Sequence, residues 1–208
     1  NNPHLKIPPV IHIAGTNGKG STLSYLKNIM IANSMKVHTY TSPHLKKFNE
    51  RITISNKQIQ TKILLNTLQF IKEINNQEPI TFFEITTAAA FYLFSRQKAD
   101  FLILETGLGG RLDATNIIKE SIISIITTIG IDHQDFLGKS ILNITDEKLG
   151  IIKNKNIVII SNQKKIVNRH IKEKLQKKNN EKIFYGKDYK IQEIKKSSFL
   201  LKFRKEKL

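Results

Sequence analysis

Lys19 stands inside a run of glycines, Gly15-Thr16-Asn17-Gly18-Lys19-Gly20-Ser21, directly after the apolar segment Val10 to Ala14. Glycine lets the backbone turn sharply and present its N–H groups, and a lysine among them adds a positive charge. Beyond the loop, Leu23, Leu26, Ile29 and Met30 recur at helical spacing, so a helix over Ser21 to Asn33 is expected to start at once. Strand, glycine-rich loop with lysine, and helix N-terminus together make a cradle for phosphate. Backbone N–H groups of Gly18 to Ser21 would hold phosphate oxygens, and Lys19 would neutralise the outer phosphates of a nucleotide. The spacing departs from the general P-loop pattern at two points. Gly15 lies only three residues before Gly18, and Gly20 separates Lys19 from Ser21.

Other polar groups fall just beyond apolar runs. Ser42 follows Lys36 to Thr41, Glu105 ends Asp100 to Glu105, and Asp132-His133 follows Ser121 to Ile129. Magnesium takes oxygen ligands and bridges substrate phosphates, a need that Ser42 and Glu105 fit. Taken alone, His133 reads more readily as a hydrogen-bonded structural histidine, Glu105 equally as a capping acid, and Lys148 as a surface lysine of a helix. No residue has the setting of a covalent nucleophile: cysteine is absent and no serine sits in a nucleophile elbow.

The elements that would position these groups alternate. After the first strand and helix come a strand over Lys36 to Thr41, a short strand over Arg51 to Ile54, and a helix over Gln60 to Asn75. A small-residue helix over Ile85 to Arg96 precedes the strand ending in Glu105, which leads into a second glycine-rich segment, Thr106 to Asn116. A strand over Ser121 to Ile129, a helix over Ser140 to Ile152, a strand over Asn156 to Ser161 and a basic amphipathic helix over Gln163 to Lys177 follow. Three β-like runs, Ile183 to Tyr185, Tyr189 to Ile194 and Phe199 to Phe203, close the chain. The pattern predicts an α/β fold: a mostly parallel sheet flanked by helices, with a small β-rich C-terminal segment. Such sheets bind ligands beyond the carboxyl ends of their strands, where one edge would collect the phosphate loop, Ser42, Glu105 to Asn116 and His133.

At 208 residues the chain is long enough for one such domain with a sizeable core. No apolar run reaches membrane-spanning length and no secretory signal opens the chain, so a soluble cytoplasmic protein is the simplest expectation. Lys and Arg number 34 against 17 acids, a net charge of +17. The excess accompanies a chain-wide richness in Lys, Ile and Asn, and the dense lysines of Lys164 to Lys207 share their segments with Ile, Val and Leu as a solvated face would. Neither a nucleic-acid nor a membrane partner is expected.

Several separate blocks resemble the folylpolyglutamate and dihydrofolate synthases, the folate branch of the Mur ligase superfamily. They are the phosphate loop, Thr41-Ser42-Pro43-His44-Leu45, Phe48-Asn49-Glu50-Arg51, Thr81-Phe82-Phe83-Glu84, Leu104 to Asn116, Asp132-His133 and Glu147 to Lys153, in matching order and spacing from Ile11 to Lys153. The resemblance implies an ADP-forming ligase that joins an ATP-activated carboxylate to the amino group of L-glutamate through an acyl phosphate. It makes Ser42, Glu105 and His133 the ligands of Mg²⁺, and Lys148 the lysine that relatives carbamylate. Thr81, Phe82, Phe83 and Glu84, with Leu112, Asp113 and Ala114, correspond to the segments that hold the pterin substrate, although the two phenylalanines read equally as core aromatics. Gly-Gly-Arg-Leu-Asp-Ala-Thr-Asn leans toward the enzymes that use dihydropteroate as well as reduced folate. The expected partners are ATP, L-glutamate and one of these acceptors, in a monomeric enzyme.

Relatives carry a further N-terminal segment and a C-terminal domain that closes over ATP. Residues 1–208 are therefore expected to be the central ATP-binding domain of a longer ligase, weak in turnover alone because water must be excluded from the acyl phosphate. Two other classes are open on the residues alone: a different P-loop kinase or NTPase, which would show an acceptor or switch segment in place of Glu-Lys-Leu-Gly, and an inactive nucleotide-binding relative. The presence of Lys19, Ser42, Glu105, His133 and Lys148 together speaks against the second.

Overall fold

The computed structural model describes residues 2–195, 198–204 and 206–207. β1 (Val10–Ala14), α1 (Lys19–Ala32) and β2 (Val37–Tyr40) are followed by the short strands β3 (Ile52–Ile54) and β4 (Lys57–Gln58). Next come α2 (Thr61–Asn75), α3 (Phe82–Phe94), β5 (Phe101–Glu105), β6 (Ile123–Ile126), α4 (Gln134–Leu137), α5 (Ile141–Leu149), β7 (Ile157–Ile160), α6 (Lys165–Leu175) and β8 (Glu181–Phe184). β9 (Tyr189–Lys195), β10 (Ser198–Phe203) and β11 (Glu206–Lys207) end the chain.

The first eight strands form one sheet in the order β4-β3-β2-β5-β1-β6-β7-β8. β2, β5, β1, β6, β7 and β8 run parallel, and β3 and β4 are an antiparallel edge. β5 inserts between β1 and β2 while β6 to β8 extend on the far side, so strand order reverses around β1. The crevice beyond the carboxyl end of β1 is the place such sheets leave for a ligand.

All five residues of β1 and all four of β2 are buried, the composition of central parallel strands. α1 covers one face through Leu23 over Ile11, Ile13, Val37 and Ile103. On the other face α3 sets Ala90, Phe91 and Phe94 against Tyr40, Leu102 and Leu104, and α5 and α6 set Ile144, Val167 and Ile171 against Val158 and Ile160. The basic helix α6 buries Val167, Ile171 and Leu175 and turns its lysines outward, as a solvated face does.

Three of the differences from expectation have a clear physical reason. α1 begins at Lys19 because Gly18 takes the N-cap position in a left-handed conformation, φ 85°. α3 begins at Phe82, three residues earlier than apolar spacing alone indicates, because Thr81 and Glu84 form a reciprocal capping box. The run around Ile183 is the parallel edge strand β8 of the main sheet; the small β-rich segment is the separate antiparallel sheet β9-β10-β11.

Candidate active site

The loop after β1 is open on its solvent side. A Cβ built at Gly18 would meet nothing within 4 Å, and no side chain caps the first turn of α1. The N–H groups of that turn therefore face outward with the positive end of the helix dipole, as an anion site requires. The inner side of the loop is packed. A Cβ at Gly15 would overlap the Thr127 hydroxyl, and Thr16 ties the loop to the end of β6 through its N–H to the Thr128 carbonyl at 2.9 Å. The Thr16 hydroxyl donates to the Gly130 carbonyl at 3.1 Å and accepts from its N–H at 3.0 Å.

Two lysines converge on this loop. Lys19 Nζ donates to the Gly15 carbonyl at 3.1 Å, and Lys148 Nζ, from the last turn of α5, donates to the same oxygen at 2.9 Å. Lys148 is only 3% exposed. Burial, with the Lys19 charge adding to it and Asp132 and Asp113 opposing it, pulls the Lys148 ammonium down to about 8. Two ammonium groups on one carbonyl leave a strong local demand for negative charge.

Glu105 supplies part of it. Its Oε2 accepts from the Thr41 hydroxyl and, at 3.2 Å, from the Ser42 N–H. Burial raises the carboxyl above its usual range, and the Thr41 and Ser42 hydrogen bonds and the Lys19 charge hold it back. A Cβ at Gly20 would lie 3.7 Å from Glu105 Oε2, so the carboxylate stands over the first turn of α1. A buried carboxylate with Oε1 free of described donors, beside the Ser42 backbone and an open helix N-terminus, fits a hard divalent cation. Among the described residues no three His, Asp or Glu side chains cluster, so a cation here would draw on oxygens beyond those side chains.

Ser42 also borders a cavity of about 830 Å³ that Phe83, Leu108, Arg111, Asp113 and His133 help to line. His133 caps α4 with φ 48°, its side chain about half exposed, and Asp132 accepts its N–H at 2.9 Å. The opposite wall is the segment after β5, and it is tied down throughout. Asp113 Oδ2 accepts the Leu108 N–H at 2.8 Å, and Oδ1 accepts the Thr115 N–H at 3.0 Å and its hydroxyl at 2.5 Å. Because that hydroxyl proton is committed to Asp113, His12 Nε2, 2.9 Å from Thr115 Oγ1, must carry the ring hydrogen. Complete burial, with the Lys153 charge adding to it, lowers His12 to about 3, so it is neutral.

A family model described as the Mur ligase middle domain matches residues 13–207. The chain belongs to that family. The Mur ligase match runs well past Lys153, where the individual motifs end. Over 154 residues the chain is 45% identical to a dihydrofolate synthase/folylpolyglutamate synthase of Haemophilus influenzae, covering 74% of this chain and 35% of that protein. An FPGS-AMPPCP complex superposes with a TM-score of 0.90 at 29% identity, covering 99% of this chain and 53% of the other. An E. coli FolC in complex with DHPP and ADP gives 0.88 at 31% identity, covering 98% and 48%. The chain thus spans about half the length of these relatives or less, and its likeness is to the folate branch of the Mur ligases.

Within this Mur ligase domain the residues singled out by sequence come together at one end of the sheet. Ser42, Thr81, Phe83, Glu84, Leu112, Asp113, Ala114 and His133 border the cavity, and Glu105, Lys19 and Lys148 stand behind it at the phosphate loop. Phe82 does not line the cavity. It is 63% exposed and meets Phe48 edge-on at 5.5 Å. Phe83 packs beneath Gly107 and against Tyr40, serving both core and wall. Thr81 and Glu84 are bonded to each other as the α3 cap. The sequence reading missed Thr41, Arg111, Phe136, Leu137 and Glu147 as contributors to the site. Thr41 could have been found as the residue between a buried strand and Ser42, whereas the partner of Arg111 lies 36 residues away without a local signal.

Proposed function

We propose that the protein carrying this chain is an ATP-dependent ligase that adds L-glutamate to the carboxylate of a pterin or folate. The observation that carries this reading is the shared wall: Ser42 borders the substrate-sized cavity and donates to Glu105, which stands over the open phosphate loop. This arrangement supports an acceptor carboxylate in the cavity lying beside the terminal phosphate of a nucleotide on α1. One carboxylate oxygen attacks the γ-phosphorus and ADP leaves; the glutamate amine then attacks the acyl carbon, losing a proton, and inorganic phosphate departs with the C–O electron pair. Positioning and charge stabilisation account for most of such catalysis.

In this reading the N–H groups of Gly18 to Ser21 and the Lys19 ammonium hold the phosphates, with Thr16 and Asn17 shaping the loop. Ser42, Glu105 and His133 would hold Mg²⁺, which supplies positive charge to the phosphate oxygens. Lys148 is the site of carbamylation. At about 8 its ammonium is about a tenth neutral at pH 7, and the neutral amine is the form that adds CO₂. Phe83, with Leu112, Asp113 and Ala114, would form the pterin side of the cavity. Similarity to the bifunctional synthases and the Gly-Gly-Arg-Leu-Asp-Ala-Thr-Asn segment support both dihydropteroate and reduced folate as acceptors. Residues 1–208 would be the central ATP-binding domain of a monomeric cytoplasmic enzyme.

The test is ADP release by the complete polypeptide with Mg-ATP and L-glutamate, comparing dihydropteroate with tetrahydrofolate. Stimulation by both is expected. Stimulation by one alone narrows the acceptor, and by neither, with nucleotide still bound, overturns the ligase reading.

A further inference from the structure

The last turn of α5 makes contacts in two directions. Lys148 reaches the Gly15 carbonyl of the phosphate loop at 2.9 Å. Its neighbour Glu147, about 100° further round the helix, engages the loop after β5. The Glu147 carbonyl accepts the Arg111 N–H at 2.8 Å, and its Oε1 accepts from Arg111 Nε at 3.0 Å and Nη2 at 2.8 Å. Asn116 Nδ2 bridges the Arg111 carbonyl at 3.0 Å and the Gly150 carbonyl at 3.2 Å. There is no slack at this joint: a Cβ at Gly110 would lie 2.7 Å from the Glu147 carbonyl oxygen, and one at Gly150 would overlap Arg111.

We infer that Arg111 and Glu147 are positioning residues that couple the cavity wall to the phosphate loop through one helical turn. Leu112 to Ala114, on the wall, and Lys148, behind the phosphates, are set in register because both hang on this turn. The inference rests on the ligase reading for its kinetic consequence. It assigns to Glu147 a role separate from that of Lys148: it fixes where the acceptor sits, not how the nucleotide is held. A half-exposed ion pair alone contributes little, but here it closes a contact already made by backbone and by close-packed glycines.

The experiment is a double-mutant cycle in the complete polypeptide with Arg111→Ala, Glu147→Ala and both, plus Glu147→Gln, which keeps an acceptor oxygen. Each alanine variant is expected to raise the acceptor KM about fivefold while the KM for ATP changes less than about twofold; the double variant is no worse than either single, and Glu147→Gln falls between. Amide hydrogen exchange over 107–116 should quicken in both single variants with the sheet's protection unchanged. This arm needs no turnover, so it decides the coupling even if no acceptor stimulates ADP release. Unchanged exchange, an acceptor KM within twofold of the parent, equal rises in both KM values, or additive effects of the two substitutions overturns the inference.

Discussion

The two glycine-rich loops at the carboxyl edge of the sheet use the same residue in opposite ways. After β1, Gly18 opens onto empty space and Gly20 brings the helix start within van der Waals reach of Glu105. After β5, Gly107 lies against the Phe83 ring and Gly110 against the Glu147 carbonyl, with Cβ positions at 2.5 and 2.7 Å from them. The first loop leaves N–H groups unpaired for a ligand. The second spends its polar groups on itself and on the end of α5, with Asp113 alone taking three donors. On the proposed function, a phosphate site would need to be pre-organised yet empty, whereas a wall that orients a flat acceptor would need to be rigid and filled.

Substitutions can break that contrast, beginning with the largest effect. Lys148→Ala should lower acceptor-dependent ADP release by about 10²- to 10³-fold, with partial recovery on adding small carboxylates, as measured by coupled assay. The same side chain costs stability. Its ammonium is pulled down to about 8, so Lys148→Met in CO₂-free buffer should raise the melting temperature below pH 8. The unfolded lysine keeps its proton to about 10.5, so native stability recovers between pH 8 and 10.5 and the gain disappears over that window. A gain persisting at pH 11 would assign it to packing instead.

Gly107→Ala should destabilise by about 1–3 kcal/mol in denaturant unfolding, since Phe83 must move, yet leave nucleotide affinity within about twofold. Gly20→Ala should do the reverse. Alanine suits a first helical turn and meets only Glu105 at 3.7 Å, so stability should hold or rise by about 0.5–1 kcal/mol while nucleotide affinity falls about tenfold in titration calorimetry. If both alanines cost stability alike, the contrast between an open and a filled loop is wrong.

The smallest effect concerns His12, beneath the second loop. It is lowered to about 3 in the fold against 6.5 unfolded, so its contribution to stability is intact above pH 6.5 and lost as pH falls toward 3. His12→Gln should flatten the acid limb of a stability-pH profile by about 1 kcal/mol between pH 6.5 and 5.5, keeping the donor to Thr115. An unchanged limb would place the acid sensitivity elsewhere.

Most of the helix and strand succession was legible because it depends on local periodicity. The glycine-rich loop after β1 was legible for the same reason: its geometry is made by consecutive residues between one strand and one helix. Glu105, Ser42 and His133 were visible as polar ends of apolar runs, but nothing in their spacing says that Thr41 and the Ser42 N–H share one oxygen of Glu105. The start of α3 was hidden because apolar spacing indicates where a helix packs, while its cap lies outside that pattern. β8 could not be told from the runs that follow it, since partner and direction are properties of the sheet.

By itself the sequence determined the kinds of chemistry available: a phosphate loop with one lysine, hard oxygen donors at strand ends, and no thiol or serine nucleophile. Its motifs also determined the family. Only the tertiary structure decided which of those groups lie together. Lys148 meets Gly15 across 133 residues and Arg111 meets Glu147 across 36, and both contacts exist because β1, β5 and β6 lie side by side in an order the chain does not follow. Burial at that junction then turned a lysine that reads as a surface residue into one with an ammonium near 8. Desolvation and proximity set that chemistry, and both are properties of packed neighbours.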